Sequence, residues 1–175
     1  ASGQVVGFKI KTKSKDFHYE GGSSDQLFGQ HLFPTSGKRI VITEGELDAA
    51  SCYEVMSGWP MVSLPHGAAA AKKDLQKAIP FLQGYQEIVL FFDNDDAGRE
   101  AVESASSILP AGRVKIARLD AYKDASDALQ ADDKDAIRRA IWDAKPYRPD
   151  GIVDGKNLMS LVTEPTKTCD HEYPF

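Results

Sequence analysis

The feature that most constrains this chain is a unit that recurs along its middle: a short apolar run, a polar turn, then a segment with apolar residues at helical spacing. Arg39 to Thr43 is β-branched and leads into Leu47 to Met56, which Gly58 and Pro60 stop. Met61 to Leu64, a Gly/Ala-rich turn and a helical pattern over 72–82 repeat the unit. Glu87 to Phe92 followed by Gly98 to Leu109 repeats it again, and Val114 to Leu119 followed by Ala125 to Ala131 makes a fourth copy. Strands that alternate with helices of this length predict βαβ units on a mostly parallel sheet flanked by helices, with right-handed crossovers. A helix over 134–145, stopped by Pro146 and Pro149, is expected to close the unit.

The flanks read differently. From Val5 to Glu20, Val6, Phe8 and Ile10 alternate with Lys9 and Lys11, and Lys13-Ser14-Lys15 offers a turn, so a β-hairpin is expected ahead of the α/β unit. Residues 21–37 are rich in Gly, Ser, Pro and Thr and read as a connection with room for a short strand. Three regions follow: 1–37 as hairpin and connection, 38–146 as the α/β domain, and 147–175 as a linker.

At 175 residues the chain has enough length for one sizeable core. No apolar run approaches the roughly 18 residues that would span a bilayer, and the first residues lack a secretory pattern. Cys52 and Cys169 stand far apart, outside any CxxC pair, so a reducing, cytoplasmic setting is expected and a thiolate zinc site is not. The net charge of −5 argues against gripping nucleic acid by bulk electrostatics, although a bound cation would invert the field locally.

In open α/β sheets ligands sit beyond the carboxyl ends of the strands, so chemistry is expected just after each apolar run. The first strand ends in Glu44-Gly45-Glu46-Leu47-Asp48 and the third in Asp93-Asn94-Asp95-Asp96-Ala97-Gly98-Arg99. Asp93 and Asp95, two apart in an extended segment, face one side, and Glu44 reaches in from the neighbouring strand. Carboxylates crowded in this way repel unless a cation neutralises them, and their hard oxygens suit Mg²⁺ or Mn²⁺. Helix capping accounts for one aspartate of the second motif but not for the whole set. An EF-hand loop fails in register, because Ala97 and Ser104 stand where oxygen ligands would be required.

Asp124, in Lys123-Asp124-Ala125-Ser126-Asp127, is a further candidate ligand, with N-capping as its competing role and Asp127 as a weaker candidate. Pro65-His66-Gly67 and Lys72-Lys73 follow the second strand, where a small-residue turn lets backbone approach a phosphate, although solvated lysines give the same pattern. Lys9 and Lys11 share one face of the hairpin. These lysines, His66 and Arg99 form the set expected to contact nucleotide or DNA.

Together, EGELD and DNDDAGR resemble the TOPRIM domain shared by primases, topoisomerases and some nucleases. More closely, GFKIK, LFGQHLF, GKRIVITEGELDA, SLPHGAAAAKK, LFFDNDDAGREAV, LPAGRVKIA and KDASDAL are similar to the primase-helicases of T-odd bacteriophages, over most of residues 3–153. The tail CDHEYPF is similar to the entry into that family's helicase domain. The resemblance implies that Glu44, Asp93 and Asp95 are catalytic metal-binding carboxylates, that Asp124 is a further acidic ligand, that Lys9 is implicated in nucleotide binding and that Asp48 completes the first motif. It also implies synthesis of short RNA primers from ribonucleoside triphosphates on a single-stranded DNA template. The partners would be a replicative DNA polymerase and the parent's helicase domain, the parent being a ring oligomer. Parts of that family's pattern are missing: the zinc ribbon, the N-terminal half of the polymerase domain and a GxxxxGK[ST] run do not occur in these residues. A metal-dependent nuclease and a non-catalytic module that positions a helicase ring are the alternative readings. A strand-passing topoisomerase would require a separate tyrosine-bearing domain.

Overall fold

The computed structural model describes Val5 and residues 7–13, 17–22 and 25–149. The linker expected over 147–175 therefore lies outside the described residues except for its first three positions. Strands β3 (Gly37–Thr43), β4 (Met61–Ser63), β5 (Tyr85–Phe91), β6 (Val114–Ile116) and β7 (Lys145–Pro146) form one sheet in the order β4-β3-β5-β6-β7, parallel except for β7. The helices are α1 (Glu46–Val55), α2 (Ala71–Leu82), α3 (Asp96–Ser106), α4 (Ala125–Gln130) and α5 (Lys134–Trp142).

The central strands are apolar without alternation because both faces of the sheet are covered. Ile40, Val41 and Ile42 of β3 and Ile88, Val89 and Leu90 of β5 are fully buried. Ile40, Ile42, Ile88 and Leu90 join α2 and α3 in one core, through Leu75, Leu82, Val102 and Ala105. Val41 and Val89 face the other core with Cys52 of α1, Ala128 of α4, and Ile137 and Ile141 of α5. At roughly 1.5–3 kcal/mol for each fully buried large aliphatic side chain, these two layers supply most of the drive to fold.

The strand order fixes where a ligand can sit. From β3 the chain runs to β4 on one side and then crosses back to β5 on the other, so the topological switch point falls between β3 and β5. Both acidic motifs follow these two strands.

Several expectations need correction. Among the described residues between β2 and β3 the connection forms one isolated bridge, Phe28 to Ser63, and a 3-10 turn at Gln30–Leu32 in place of a short strand. The closing helix stops at Trp142 instead of 145, because Lys145–Pro146 pairs antiparallel with β6 as an edge strand, where proline is tolerated. The fourth strand ends at Ile116; Ala117 N still donates to Leu90 O at 2.9 Å, and the chain then leaves the sheet.

The hairpin β1 (Gly7–Lys11) with β2 (Phe17–Gly21) is present as its own antiparallel sheet. Its polar face turns toward the α/β unit. Phe8 is 63% exposed, whereas Lys9 Nζ reaches Glu46 Oε1 at 2.5 Å and the Pro65 carbonyl at 2.8 Å. The Tyr19 hydroxyl, paired across from Lys9, donates to the same carbonyl at 2.6 Å. The hairpin is thus latched beside the loops after β3 and β4 by hydrogen bonds.

Candidate metal and nucleotide site at the switch point

Glu44 follows β3 and Asp93 follows β5, each one or two residues past the last ladder position. Burial pushes the Glu44 carboxyl up, and the charges of Asp93 and Asp95 add to the rise, while backbone N–H groups of Ala68 and Asp93 draw it back. Among the described residues, Glu44 Oε2 is buried without a hydrogen-bond partner. Asp93, half-buried, is also raised by desolvation, against the pull of Lys123. Asp95 goes the other way: it caps α3 by accepting from Gly98 N at 2.9 Å, and that bond, with Lys123, lowers its carboxyl.

Lys123 explains how these acids coexist. Its Nζ lies 3.1 Å from Asp93 Oδ2 and 3.3 Å from Asp95 Oδ2. The bond to Asp93 is the main reason that its own ammonium is held above its ordinary value. The loop that carries it is fixed by Asn94, whose backbone N donates to Lys123 O at 2.8 Å and whose side chain donates to Leu119 O at 2.9 Å.

Asp48, on the first turn of α1, is 9% exposed and accepts from Ser126 N at 3.0 Å. Burial, together with the charges of Asp124, Asp93 and Glu44, pushes its carboxyl up to about 6. Asp124 caps α4, accepting from Asp127 N at 2.7 Å, while its charge raises both Asp48 and Asp93. Asp127 is exposed.

Among the described residues, no three His, Cys, Asp or Glu side chains are drawn together as a finished metal cage. The expected convergence of Glu44, Asp93 and Asp95 is therefore incomplete. The cation that bridges Asp93 and Asp95 is the ammonium of Lys123. The donor set still suits a hard divalent cation, because it consists of carboxylate oxygens and one of them, Glu44 Oε2, is desolvated with no donor to satisfy it.

A cavity of about 300 Å³ opens in front of these acids, lined by Lys9, Tyr19, Glu44, Asp48, His66 and Asp93. His66 is held from behind: its Nδ1 is 2.9 Å from the buried Asp74 Oδ1, and its backbone N donates to Asp74 Oδ2 at 3.2 Å. Its ring packs near Tyr19, with centroids 5.4 Å apart. Gly67, next in the turn, has φ +75°, a left-handed conformation that favours glycine. A larger cavity of about 490 Å³ runs along β6 and α5, lined by charges of both signs and without the acidic motifs.

Of the residues singled out in the sequence, Glu44, Asp93, Lys9 and His66 thus surround one opening, and Asp95 joins Asp93 behind it through Lys123. Asp124 stands beside it, engaged as a cap. Lys72 and Lys73 are exposed on the first turn of α2, Lys11 is exposed at the end of β1, and Arg99 pairs with Asp96 on α3. Sequence reasoning did not single out Lys123, Tyr19 or Asp74 for the site. Only Lys123 left a signal, as a cation next to the candidate ligand Asp124 in the loop that follows β6.

A parallel sheet carrying acids on both sides of its switch point defines a Toprim-type α/β domain. The chain belongs to the Toprim-like family, whose model matches residues 41–129. It is 43% identical over 166 residues to the DNA helicase/primase of Enterobacteria phage T3, covering 93% of this chain and 29% of that protein. The primase fragment of the bacteriophage T7 primase-helicase is 40% identical, with a TM-score of 0.75, covering 80% of this chain and 59% of that one. A second T7 structure, at 40% identity and a TM-score of 0.77, covers 83% of this chain and 74% of that one. It shows the lagging-strand DNA polymerase interacting with primase domains of two subunits bound to an RNA/DNA hybrid and dTTP. The chain thus spans less than a third of the curated phage relative it matches.

Proposed function

We propose that this chain is the nucleotidyl-transfer part of the primase domain in a replicative primase-helicase, joining ribonucleotides into short RNA primers on single-stranded DNA. The observation that carries the reading is the placement of Glu44 and Asp93 on either side of the β3/β5 switch point, with Glu44 Oε2 desolvated and unpartnered. Similarity to phage primases supports it.

On this reading Glu44, Asp93 and Asp95 would hold Mg²⁺ or Mn²⁺, with Asp124 as a further acidic ligand. The bound ion would polarise the α-phosphate and neutralise charge on the leaving pyrophosphate. The protein's own groups orient the reactants. His66, its Nδ1–H taken by Asp74, presents its other nitrogen as a hydrogen-bonding group for nucleotide in the cavity. Lys9 and Lys11 on the hairpin, Lys72 and Lys73 on α2, and Arg99 on α3 supply positive charge for triphosphate or template backbone. Residues 1–37 would belong to the preceding polymerase region, 38–146 to the catalytic domain and 147–175 to a linker toward a helicase domain. The parent would be a ring oligomer in the host cytoplasm that hands primers to a replicative DNA polymerase. Among the described residues no helix is long and apolar enough to cross a membrane.

The test is calorimetric titration of Mn²⁺ and Mg²⁺ with and without ATP or CTP, alongside a primer-synthesis assay on single-stranded DNA. The comparison protein is the Asp93→Ala/Asp95→Ala double variant. Metal binding that strengthens with nucleotide and vanishes in the double variant supports the reading. Binding that is unchanged in that variant would reduce both aspartates to structural roles and refute it.

A further inference from the structure

The cation already present at the acidic motif is Lys123. Its ammonium bridges Asp93 Oδ2 and Asp95 Oδ2 at 3.1 and 3.3 Å, from a loop pinned at its backbone by Asn94. The tether is firm at the main chain and loose at the tip, because the side chain is 55% exposed, so its four-carbon stem can turn to solvent without leaving a hole. The neutralisation is also partial. Glu44, Asp93 and Asp95 carry three negative charges against one positive, which leaves two, and Glu44 Oε2 has no donor. Two like carboxylates two residues apart repel, and without the ammonium nothing between them among the described residues offsets that repulsion.

We propose that Lys123 is a positioning residue that serves as a tethered counter-cation. In the absence of a divalent ion it holds the Asp93 and Asp95 carboxylates together in their binding arrangement, and it is displaced when that ion enters. The inference rests on the proposed reading of this site as metal-binding. It assigns Lys123 two opposing effects, on stability without metal and on affinity for metal, which a bystander lysine would not have. Displacement by an ion of twice the charge is favourable because the divalent ion neutralises two of the three negative charges where the ammonium neutralised one, and it reaches Glu44 as well. An exposed ammonium gives up little when it returns to water.

The experiment uses Lys123→Met, which keeps the stem and removes the charge, and Lys145→Met as a control for the general loss of one positive charge. Two readouts are taken without nucleotide: Mn²⁺ affinity by calorimetry, and melting temperature with and without saturating Mn²⁺. Lys123→Met is expected to bind Mn²⁺ on the order of tenfold more tightly than the parent. It should also melt lower than the parent without metal, with the gap closing once Mn²⁺ saturates it. Lys145→Met should do neither. Equal or weaker Mn²⁺ binding by Lys123→Met, or an unchanged metal-free melting temperature, would overturn the inference while leaving the metal site standing. If neither parent nor variant takes up Mn²⁺, the metal reading fails and the counter-cation role fails with it. Tighter binding without primer synthesis would sustain the role of Lys123 and count against the primase reading alone.

Discussion

Asp48 Oδ1 accepts a hydrogen bond from Ser126 N at 3.0 Å, joining the first turn of α1 to the first turn of α4 across the acidic site. Burial raises the Asp48 carboxyl from 3.8 to about 6, so between those values the folded protein holds a proton that the unfolded chain has released. Stability from this group is therefore full below about pH 4 and lost as pH rises through 6. Asp48→Asn keeps an acceptor for Ser126 and removes the titration. Its metal-free stability should match the parent near pH 4 and exceed it by roughly 2–3 kcal/mol at pH 8, since each pKa unit is about 1.4 kcal/mol. Denaturation series across that range check it; parallel curves for the two proteins would refute it.

Glu44 gives a prediction of the same sign with a different consequence. Its carboxyl is raised by burial and by Asp93, and Oε2 has no donor, so ionised Glu44 is a liability without a cation. Glu44→Gln should melt a few °C higher than the parent at pH 8 without metal, and lose the further rise that Mn²⁺ gives the parent. Differential scanning with and without Mn²⁺ reads both effects. A variant that keeps the full Mn²⁺-induced rise would remove Glu44 from the site.

What was legible in the sequence was whatever local pattern dictates. The unbroken apolar runs of β3 and β5 announced strands buried on both faces, and the acids directly after them lie at the carboxyl ends of those strands, as their place in the sequence predicted. The alternation of the hairpin showed two strands but not which face turned inward, because Lys9 facing inward depends on Glu46 and the Pro65 carbonyl, far along the chain. The pairing of Lys145–Pro146 with β6 is likewise a tertiary contact between two residues without strand propensity. Lys123 could not be matched with Asp93 from spacing alone. The two meet only because Asn94 pins one loop against another.

Arg39 makes a prediction about stability alone. Its guanidinium lies 5.5 Å from the ring centroids of both Trp59 and Trp142, while Nε donates to Glu87 at 2.6 Å and Nη1 to Ile141 O at 3.1 Å. The side chain is only 11% exposed, and it ties β3 to β5 and α5 at once. Arg39→Met keeps much of the packing but leaves the Ile141 carbonyl without this donor and Glu87 with Lys115 alone. A loss of about 2–4 kcal/mol is expected, with Mn²⁺ affinity unchanged because the cluster sits at the opposite end of β3 from Glu44. Urea denaturation and calorimetry on the same preparation test the two halves separately.

Gly98 is where fold and site are coupled most tightly. A Cβ at this position would lie 2.1 Å from Asp93 O and 2.9 Å from Asp93 C, both backbone atoms, so neither can be relieved by turning a side chain. Either α3 must retreat from the end of β5, which breaks the Gly98 N to Asp95 bond, or the Asp93 peptide must rotate and carry its carboxylate away. Both routes spoil the acidic pair, and overpacking of this kind destabilises by about 1–3 kcal/mol or more. Gly67→Ala separates this from simple backbone strain: φ is +75° with ψ −172°, a glycine conformation, but no atom lies within 4 Å of the added Cβ, so about 1–3 kcal/mol of conformational strain and no steric clash are expected. The comparison to make is Mn²⁺ affinity at a temperature where both variants remain folded. Gly98→Ala should lose most of it and Gly67→Ala should keep it, because only the first displaces Asp93. Equal affinities would mean that the α3 start and the β5 end can part without moving the carboxylates, and that the glycine serves packing alone.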